Sequence, residues 1–391
     1  MKIQSRAVHS GDRKKAGPQI PVSTPIYTAS SYFYDTTEQL DQVFAFETPG
    51  YAYARYDNPT NSALEEVLTS LEGGRGTLAT ASGMAALEIA LRVATMTRPR
   101  AIVAADALYG ATIKLLNQIL EPLGFRIHYA DFCDLAEVER AIARTQPGCL
   151  LMETISNPLL RVAPMDRIAE LARAAGVALV VDNTFATPLL VRPLELGAHL
   201  SVNSLTKYLA GHGDVLGGSV TSDAEHYDAL RATGRVTGPL LGPFEAYLAM
   251  RGVKTFPLRM ERQCANAVEV AEWLGGHPKV ERVHFPGGAA HPDAEAVRRL
   301  LPAGQFGAMV SFEIRAASRA EVFGFMDRLK MIVRATSLGD VHSMLLYPWM
   351  SSHRDVGPEQ KARVGIRENL VRLSVGIEAV EDILADLDQA L

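Results

Sequence analysis

The chain has 391 residues, 39 Lys and Arg against 44 Asp and Glu, and a formal net charge of -5. That mild acidity excludes the basic face of a nucleic-acid binder, while 48% apolar and 21% charged residues are ordinary for a globular protein that buries a large core. The three cysteines, Cys133, Cys149 and Cys264, are odd in number and far apart, which excludes a disulfide framework or a Cys-x-x-Cys metal clip, and no metal site is expected.

The N-terminal stretch MKIQSRAVHSGDRKK lacks the apolar segment of a secretory signal. No apolar run approaches the ~18 residues of a membrane span, so a cytoplasmic location and no membrane partner are expected. Residues 1–60, with Pro18, Pro21, Pro25, Pro49 and Pro59 and many aromatics, read as an irregular arm with little core of its own, laid over a second subunit. From residue 61 the pattern alternates. SALEEVLTSLEGG and SGMAALEIALRVA are helices, AIVAAD a strand, ATIKLLNQILEPLG a helix and RIHYAD a strand. CLLMETIS is a strand, MDRIAELARAAG a helix, and VALVVD and HLSVNSL two further strands. Short apolar strands alternating with helices predict an α/β domain over 61–250 with a mostly parallel sheet. Residues 251–391, with the long helix VKTFPLRMERQCANAVEVAEWLGG, strands MVSFEIR and LVRLSVG and two more helices, predict a smaller C-terminal α+β domain.

Ligands of open α/β sheets gather beyond the carboxyl ends of the strands. Those ends carry Asp106, Asp131, Glu153, Asp182 and Ser204. Just past the last of them stands a single lysine, Lys207, among small hydroxyl residues and glycines in SLTKYLAGHGDVLGG. A lysine forms Schiff bases with carbonyl compounds. Pyridoxal phosphate needs such a lysine, an acid at its pyridine nitrogen and a phosphate cradle. Asp182 supplies an acid 25 residues upstream, and SGMAA opens a helix whose Gly83 and Met84 N–H groups suit an anion. Ser204 and Thr206 add hydroxyls, provided the strand turns near 206, because alternate residues of a strand face opposite ways. Singly, a strand-end Asp is a cap, a lone Lys a solvated side chain, and S-G-M-A plain packing; their order along one pattern is what points to a cofactor. A nicotinamide enzyme would need G-x-G-x-x-G after the first strand, and a zinc hydrolase H-E-x-x-H; neither stretch is present.

Nearly end to end, the chain resembles the pyridoxal-phosphate enzymes of cysteine and methionine metabolism: cystathionine γ-synthases, cystathionine γ-lyases, methionine γ-lyases and relatives. The resemblance is carried by YAYARYDNPT, ATASGMAALEIAL, LYGAT, METISNP, VVDNTFATP, SLTKYLAGH, MRGVKT and RLSVGIE. It implies the aspartate-aminotransferase-like fold (fold type I) and pyridoxal 5'-phosphate as cofactor. Lys207 would hold the cofactor and move protons, Asp182 would pair with the pyridinium nitrogen, and Gly83, Met84, Ser204 and Thr206 would hold the phosphate. Tyr53 and Arg55 would reach the phosphate of the neighbouring subunit in a homotetramer built as a dimer of dimers. Tyr109 would stack on the ring and act as acid or base. Asn157 would contact the cofactor or substrate, Arg372 would grip the substrate carboxylate, and Ser337 and His342 would line the substrate side. The implied reaction is γ-elimination or γ-replacement on a sulfur-containing or O-acylhomoserine-type amino acid. A β-lyase, an O-acylhomoserine sulfhydrylase and a non-catalytic cofactor-binding regulator are the alternatives.

Three positions depart from the family pattern. Ala111 follows the YG where methionine γ-lyases typically carry Cys. Gly213 makes GHGD of the usual GHSD. His342 stands where enzymes acting on cystathionine often have Glu, and a His would receive that substrate's distal ammonium poorly.

Overall fold

The larger sheet is built from seven five-residue strands: β1 (Gly76–Thr80), β2 (Ala101–Ala105), β3 (Arg126–Ala130), β4 (Cys149–Glu153), β5 (Ala178–Asp182), β6 (Leu200–Ser204) and β7 (Gly218–Ser222). They follow from a computed structural model that describes residues 1–14, 19–354 and 356–391. Strand order is β1-β7-β6-β5-β4-β2-β3, with β7 antiparallel to both its neighbours and the remaining pairs parallel. The five apolar runs expected as strands are β2 to β6. The other two, GTLAT and GSVTS, are poor in large apolar side chains and carry no period-2 signal, yet all their residues are buried. Their burial comes from close neighbours: a Cβ on Gly76 would lie 2.0 Å from the Tyr227 ring.

Local chemistry sets the helices that cover this sheet. Pro59–Glu72 starts at Asn58, whose side chain accepts from the Thr60 and Asn61 N–H groups, and stops at Gly73 in the left-handed region. Gly83–Ala94 starts at Ser82, which accepts from the Ala85 N–H. The helix expected over 111–124 is divided. Gly110–Lys114 is α-helical, Leu115–Leu120 forms a π-helical turn and Glu121–Leu123 a 3-10 turn holding Pro122, before Gly124 ends it.

Beyond residue 276 a second sheet forms from β8 (Val280–His284), β9 (Met309–Ile314), β10 (Val333–Arg334), β11 (Met344–Leu346) and β12 (Leu370–Ser374). Its order is β10-β11-β12-β9-β8, and among its pairs β10–β11 is parallel and the others antiparallel. The helix Phe256–Gly276 joins the two layers. Phe256, Met260 and Cys264, one turn apart, pack into the core around the large sheet, whereas Ala267, Val270 and Leu274 pack into the core of the small one.

The N-terminal arm is more ordered than its composition suggests. It contains two short helices, Ile3–His9 and Thr37–Phe44, and the first packs on Pro59–Glu72. The expectation of little core still describes the rest: among the described residues of the arm only Ala7 and Val43 are buried apolar side chains, while Val22 and Phe33 are 79% and 91% exposed. Residues 15–18, Pro18 included, lie outside the described residues. No helix of the described residues is long and apolar enough to cross a membrane.

Candidate active site

The carboxyl ends of β4, β5 and β6 place Glu153, Asp182 and Ser204 along one edge of the large sheet, Glu153 in register with Asp182. The chain turns directly after β6, with the Lys207 N–H donating to the Ser204 carbonyl at 3.2 Å. This is the turn that the strand argument required, and it carries the Lys207 side chain to the same side as Asp182. Both open onto a cavity of about 200 Å³. Of the residues expected at a site, Gly83, Met84, Tyr109, Asn157, Asp182, Ser204, Thr206, Lys207 and Arg372 all line it.

One end of the cavity is built for an anion. The helix Gly83–Ala94 points its first turn into it, and the Gly83 and Met84 N–H groups there have no intrahelical acceptor. The absence of side chains keeps that turn open: a Cβ on Gly83 would lie 2.9 Å from Ser204 Cβ, and one on Gly218 only 2.3 Å from the Ser82 carbonyl oxygen. Thr206 is nearby, but its hydroxyl is already engaged at both ends of a contact with Gly217, donating to the carbonyl at 3.2 Å and accepting from the N–H at 3.0 Å.

Lys207 donates from Nζ to Ser337 Oγ at 3.0 Å. Burial, reinforced by the Arg372 cation, lowers its amine to about 8. A neutral, nucleophilic amine is therefore available far closer to neutrality than for a solvated lysine. Across the cavity, burial raises the Asp182 carboxyl, an effect opposed by the Thr184 hydroxyl and the Thr184 N–H, the latter at 3.0 Å. A cationic ring nitrogen is the partner that would stabilise its ionised form.

Arg372 comes from β12 of the second sheet and is 2% exposed. Its Nη1 donates to Asn157 Oδ1 at 2.8 Å, and its Nε is buried with no acceptor. A buried guanidinium with an unsatisfied donor costs stability and suits an anionic ligand that takes both arms of the fork. Burial pulls its pKa down to about 10, so it remains a cation at neutral pH.

Two residues essential to this geometry carried no assigned role in the sequence. Glu153 accepts from the Tyr109 N–H at 2.6 Å and from the Asn157 N–H at 3.0 Å. Its position at a strand end was the available signal. Arg259, 5% exposed, donates to the Tyr208, Leu209 and Gly252 carbonyls at 2.8, 3.1 and 2.9 Å and so clamps the turn that follows Lys207. The clamp needs two glycines: a Cβ on Gly211 would meet Arg259 Nη1 at 1.8 Å, and one on Gly252 the Ala210 carbonyl oxygen at 2.1 Å. That contact explains why MRGVKT and SLTKYLAGH occur together.

Other expected residues are not in the cavity. Tyr53 and Arg55 stand apart from it; the Arg55 guanidinium lies 5.5 Å from the Tyr53 ring centroid, 5.1 Å from that of Tyr56, and donates to the Arg235 carbonyl. Ser337 touches Lys207 rather than the open space. The His342 side chain is 64% exposed and bonds through Nδ1 to Asp340 Oδ1 at 3.0 Å. Asp340 also explains Gly213, whose φ is +68 and whose Cβ would lie 2.5 Å from Asp340 Oδ2, leaving no room for a serine without movement.

Comparison with known proteins identifies the family. The family model for Cys/Met metabolism PLP-dependent enzymes matches residues 4–391. An L-methionine gamma-lyase of Pseudomonas putida is 40% identical over 99% of this chain and 96% of its own length. A cystathionine gamma-lyase of Bacillus subtilis is 38% identical over 100% and 99%. The crystal structure of cystathionine gamma synthase from Xanthomonas oryzae pv. oryzae in complex with cystathionine superposes with a TM-score of 0.93 at 36% identity, covering 100% of this chain and 97% of the other. Matched from residue 4 to its last residue, the chain belongs to the pyridoxal-phosphate-dependent enzymes of Cys/Met metabolism, the carbon–sulfur lyases and γ-synthases of transsulfuration type.

Proposed function

We propose that this enzyme catalyses γ-elimination or γ-replacement on a sulfur-containing or O-acylhomoserine-type amino acid, with Lys207 as the residue that holds the cofactor and moves protons. The observation that carries the reading is that the lysine, its amine lowered to about 8, shares one cavity with Asp182 and Arg372. The residues fit pyridoxal phosphate: Gly83, Met84 and Ser204 would hold its phosphate, Asp182 its ring nitrogen and Lys207 its aldehyde carbon. When bound, this group withdraws electrons from the substrate Cα and makes the α-proton acidic. Lys207 would receive that proton at Nζ. Arg372 fixes the substrate carboxylate and thereby the orientation of the Cα–H bond. Tyr109, at the cavity wall, serves the leaving group as acid or base.

For substrate choice, the acids that line the cavity among the described residues are Glu153 and Asp182, and both are engaged. Ile155, Phe185, Leu216 and Leu338 supply apolar wall. Such a lining favours a γ-substituent without a second ammonium, so we place cystathionine among the poorer substrates. A panel of cystathionine, methionine, homocysteine, cysteine and O-acylhomoserines, with and without added thiol, tests both points. 2-Oxobutyrate is expected from elimination and a thioether from replacement. Because His342 is exposed and does not line the cavity, His342→Glu is expected to leave the ranking of these substrates unchanged. Pyruvate as the dominant product throughout would show β-elimination instead, and efficient cleavage of cystathionine by the parent enzyme would remove the specificity argument.

The same proposal makes the active unit an oligomer, a dimer of dimers, in which Tyr53 and Arg55 serve a neighbouring copy's phosphate. It is supported by their absence from the lining of the chain's own cavity and by an arm whose apolar side chains are largely exposed. Mixing inactive Arg55→Ala and Lys207→Ala subunits is then expected to restore part of the activity, since one kind of hybrid site is intact. Unchanged inactivity despite demonstrated subunit exchange would mean that each site is made by one chain.

A further inference from the structure

We propose that Glu153 is a positioning residue: its single carboxylate ties the loop that carries Tyr109 to the loop that carries Asn157, and through Asn157 holds Arg372 at the angle a substrate carboxylate requires. The inference rests on the roles given above to Tyr109 and Arg372. Three contacts compose the chain. Oε1 accepts from the Tyr109 N–H at 2.6 Å, Oε2 accepts from the Asn157 N–H at 3.0 Å, and Asn157 Oδ1 accepts from Arg372 Nη1 at 2.8 Å. Tyr109 follows β2, Asn157 follows β4, and Arg372 belongs to the other sheet. One side chain therefore couples two loops of the large sheet to a strand of the small one.

Glu153 is an expensive choice for a purely architectural tie. It is 8% exposed and sits in register beside Asp182, a second carboxyl. Burial and that neighbour hold its own carboxyl well above the usual carboxylate range, although both N–H donors favour the ionised form. An apolar side chain would pack there at lower cost but would leave two buried N–H groups without acceptors. What the acid adds is two acceptors at a set separation, directed to the two loops that face the ligand. A displacement of about 1 Å at such a wall is enough to lower catalysis by roughly 10²-fold.

The test uses the cofactor-loaded full-length enzyme. Glu153→Gln keeps size and one acceptor, but its amide N–H group faces the other donor, so one loop is released. We expect kcat/KM to fall about 10²-fold, binding of the unreactive amino acid L-norvaline, followed by the visible absorbance change, to weaken at least about tenfold, and melting to stay within a few degrees. Glu153→Asp, which retains both acceptors, is expected to recover part of the loss. In an Asn157→Ala background the norvaline penalty of Glu153→Gln is expected to shrink to less than about threefold, because the path to Arg372 is already cut. Norvaline binding within twofold of the parent for Glu153→Gln, or penalties that simply add in the Asn157→Ala background, would overturn the proposal. Unchanged norvaline binding in Arg372→Met would instead overturn the carboxylate assignment, a pattern separable from any outcome for Glu153.

Discussion

Lys207→Ala is expected to eliminate the visible absorbance of bound pyridoxal phosphate and to lower turnover by at least about 10³-fold, while leaving the fold intact. The fold is expected to survive because Nζ makes one side-chain contact, with Ser337 Oγ, and the turn around it is held by backbone groups and by Arg259. The depressed amine gives a second, pH-resolved readout. Below a pH of about 8 the folded protein carries Lys207 protonated, and above it neutral. Capture of the aldehyde by cofactor-free protein should therefore accelerate with rising pH and level off near that value. The sign for stability is also determined. A lysine whose folded pKa lies below its unfolded value binds fewer protons when folded, so the stability penalty of burying it is relieved as pH rises from about 8 toward 10.5. Lys207→Ala should lack both dependences. Borohydride reduction followed by peptide mass spectrometry should place the pyridoxyl group on Lys207; finding it on another lysine would refute the assignment.

The strands that carry this chemistry are legible because a parallel sheet buried on both faces demands continuous apolar runs, and β2, β4 and β5 are such runs, while β3 at the sheet edge and β6 mix apolar with polar residues. Their polar last residues then marked the ligand edge. β1 and β7 escaped the same reasoning, since a strand made of Gly, Ser, Thr and Ala is buried only through its neighbours' shapes. The path after residue 110 reads as one helix because its apolar spacing continues through the π and 3-10 turns. Among site residues, Lys207, Asp182 and the Gly83 turn stood out by residue type and position alone. The roles of Glu153 and Arg259 depend on which backbone groups they meet, 44 residues away for Tyr109 and 51 for Tyr208, and spacing cannot encode that. Arg372 is the single cation of a strand buried throughout, whereas His342 is exposed and bonded to Asp340, an orientation that sequence order alone does not reveal.

The second large effect concerns Arg372. Arg372→Met is expected to weaken L-norvaline binding and raise KM for amino-acid substrates by about 10²-fold, the order expected when a buried charge-assisted hydrogen-bonded pair is removed. The absorbance of the bound cofactor should persist, because none of the groups assigned to its phosphate, ring nitrogen or aldehyde is altered. Arg372→Lys is expected to restore little: an ammonium on a shorter reach cannot present two parallel donors to a carboxylate. Stability should move the other way from activity. The guanidinium is 2% exposed, its Nε has no acceptor, and its pKa is drawn down to about 10, all signs of a cation held at a cost until a ligand arrives. Methionine fills similar volume without that cost, offset in part by the Asn157 oxygen it leaves unbonded. Melting is therefore expected to be unchanged or higher. Because the Arg372 cation also helps depress Lys207, its removal should shift the pH at which cofactor capture levels off upward from about 8. A variant that binds norvaline as tightly as the parent, with Lys207 still titrating at its original pH, would place the substrate carboxylate elsewhere in the cavity.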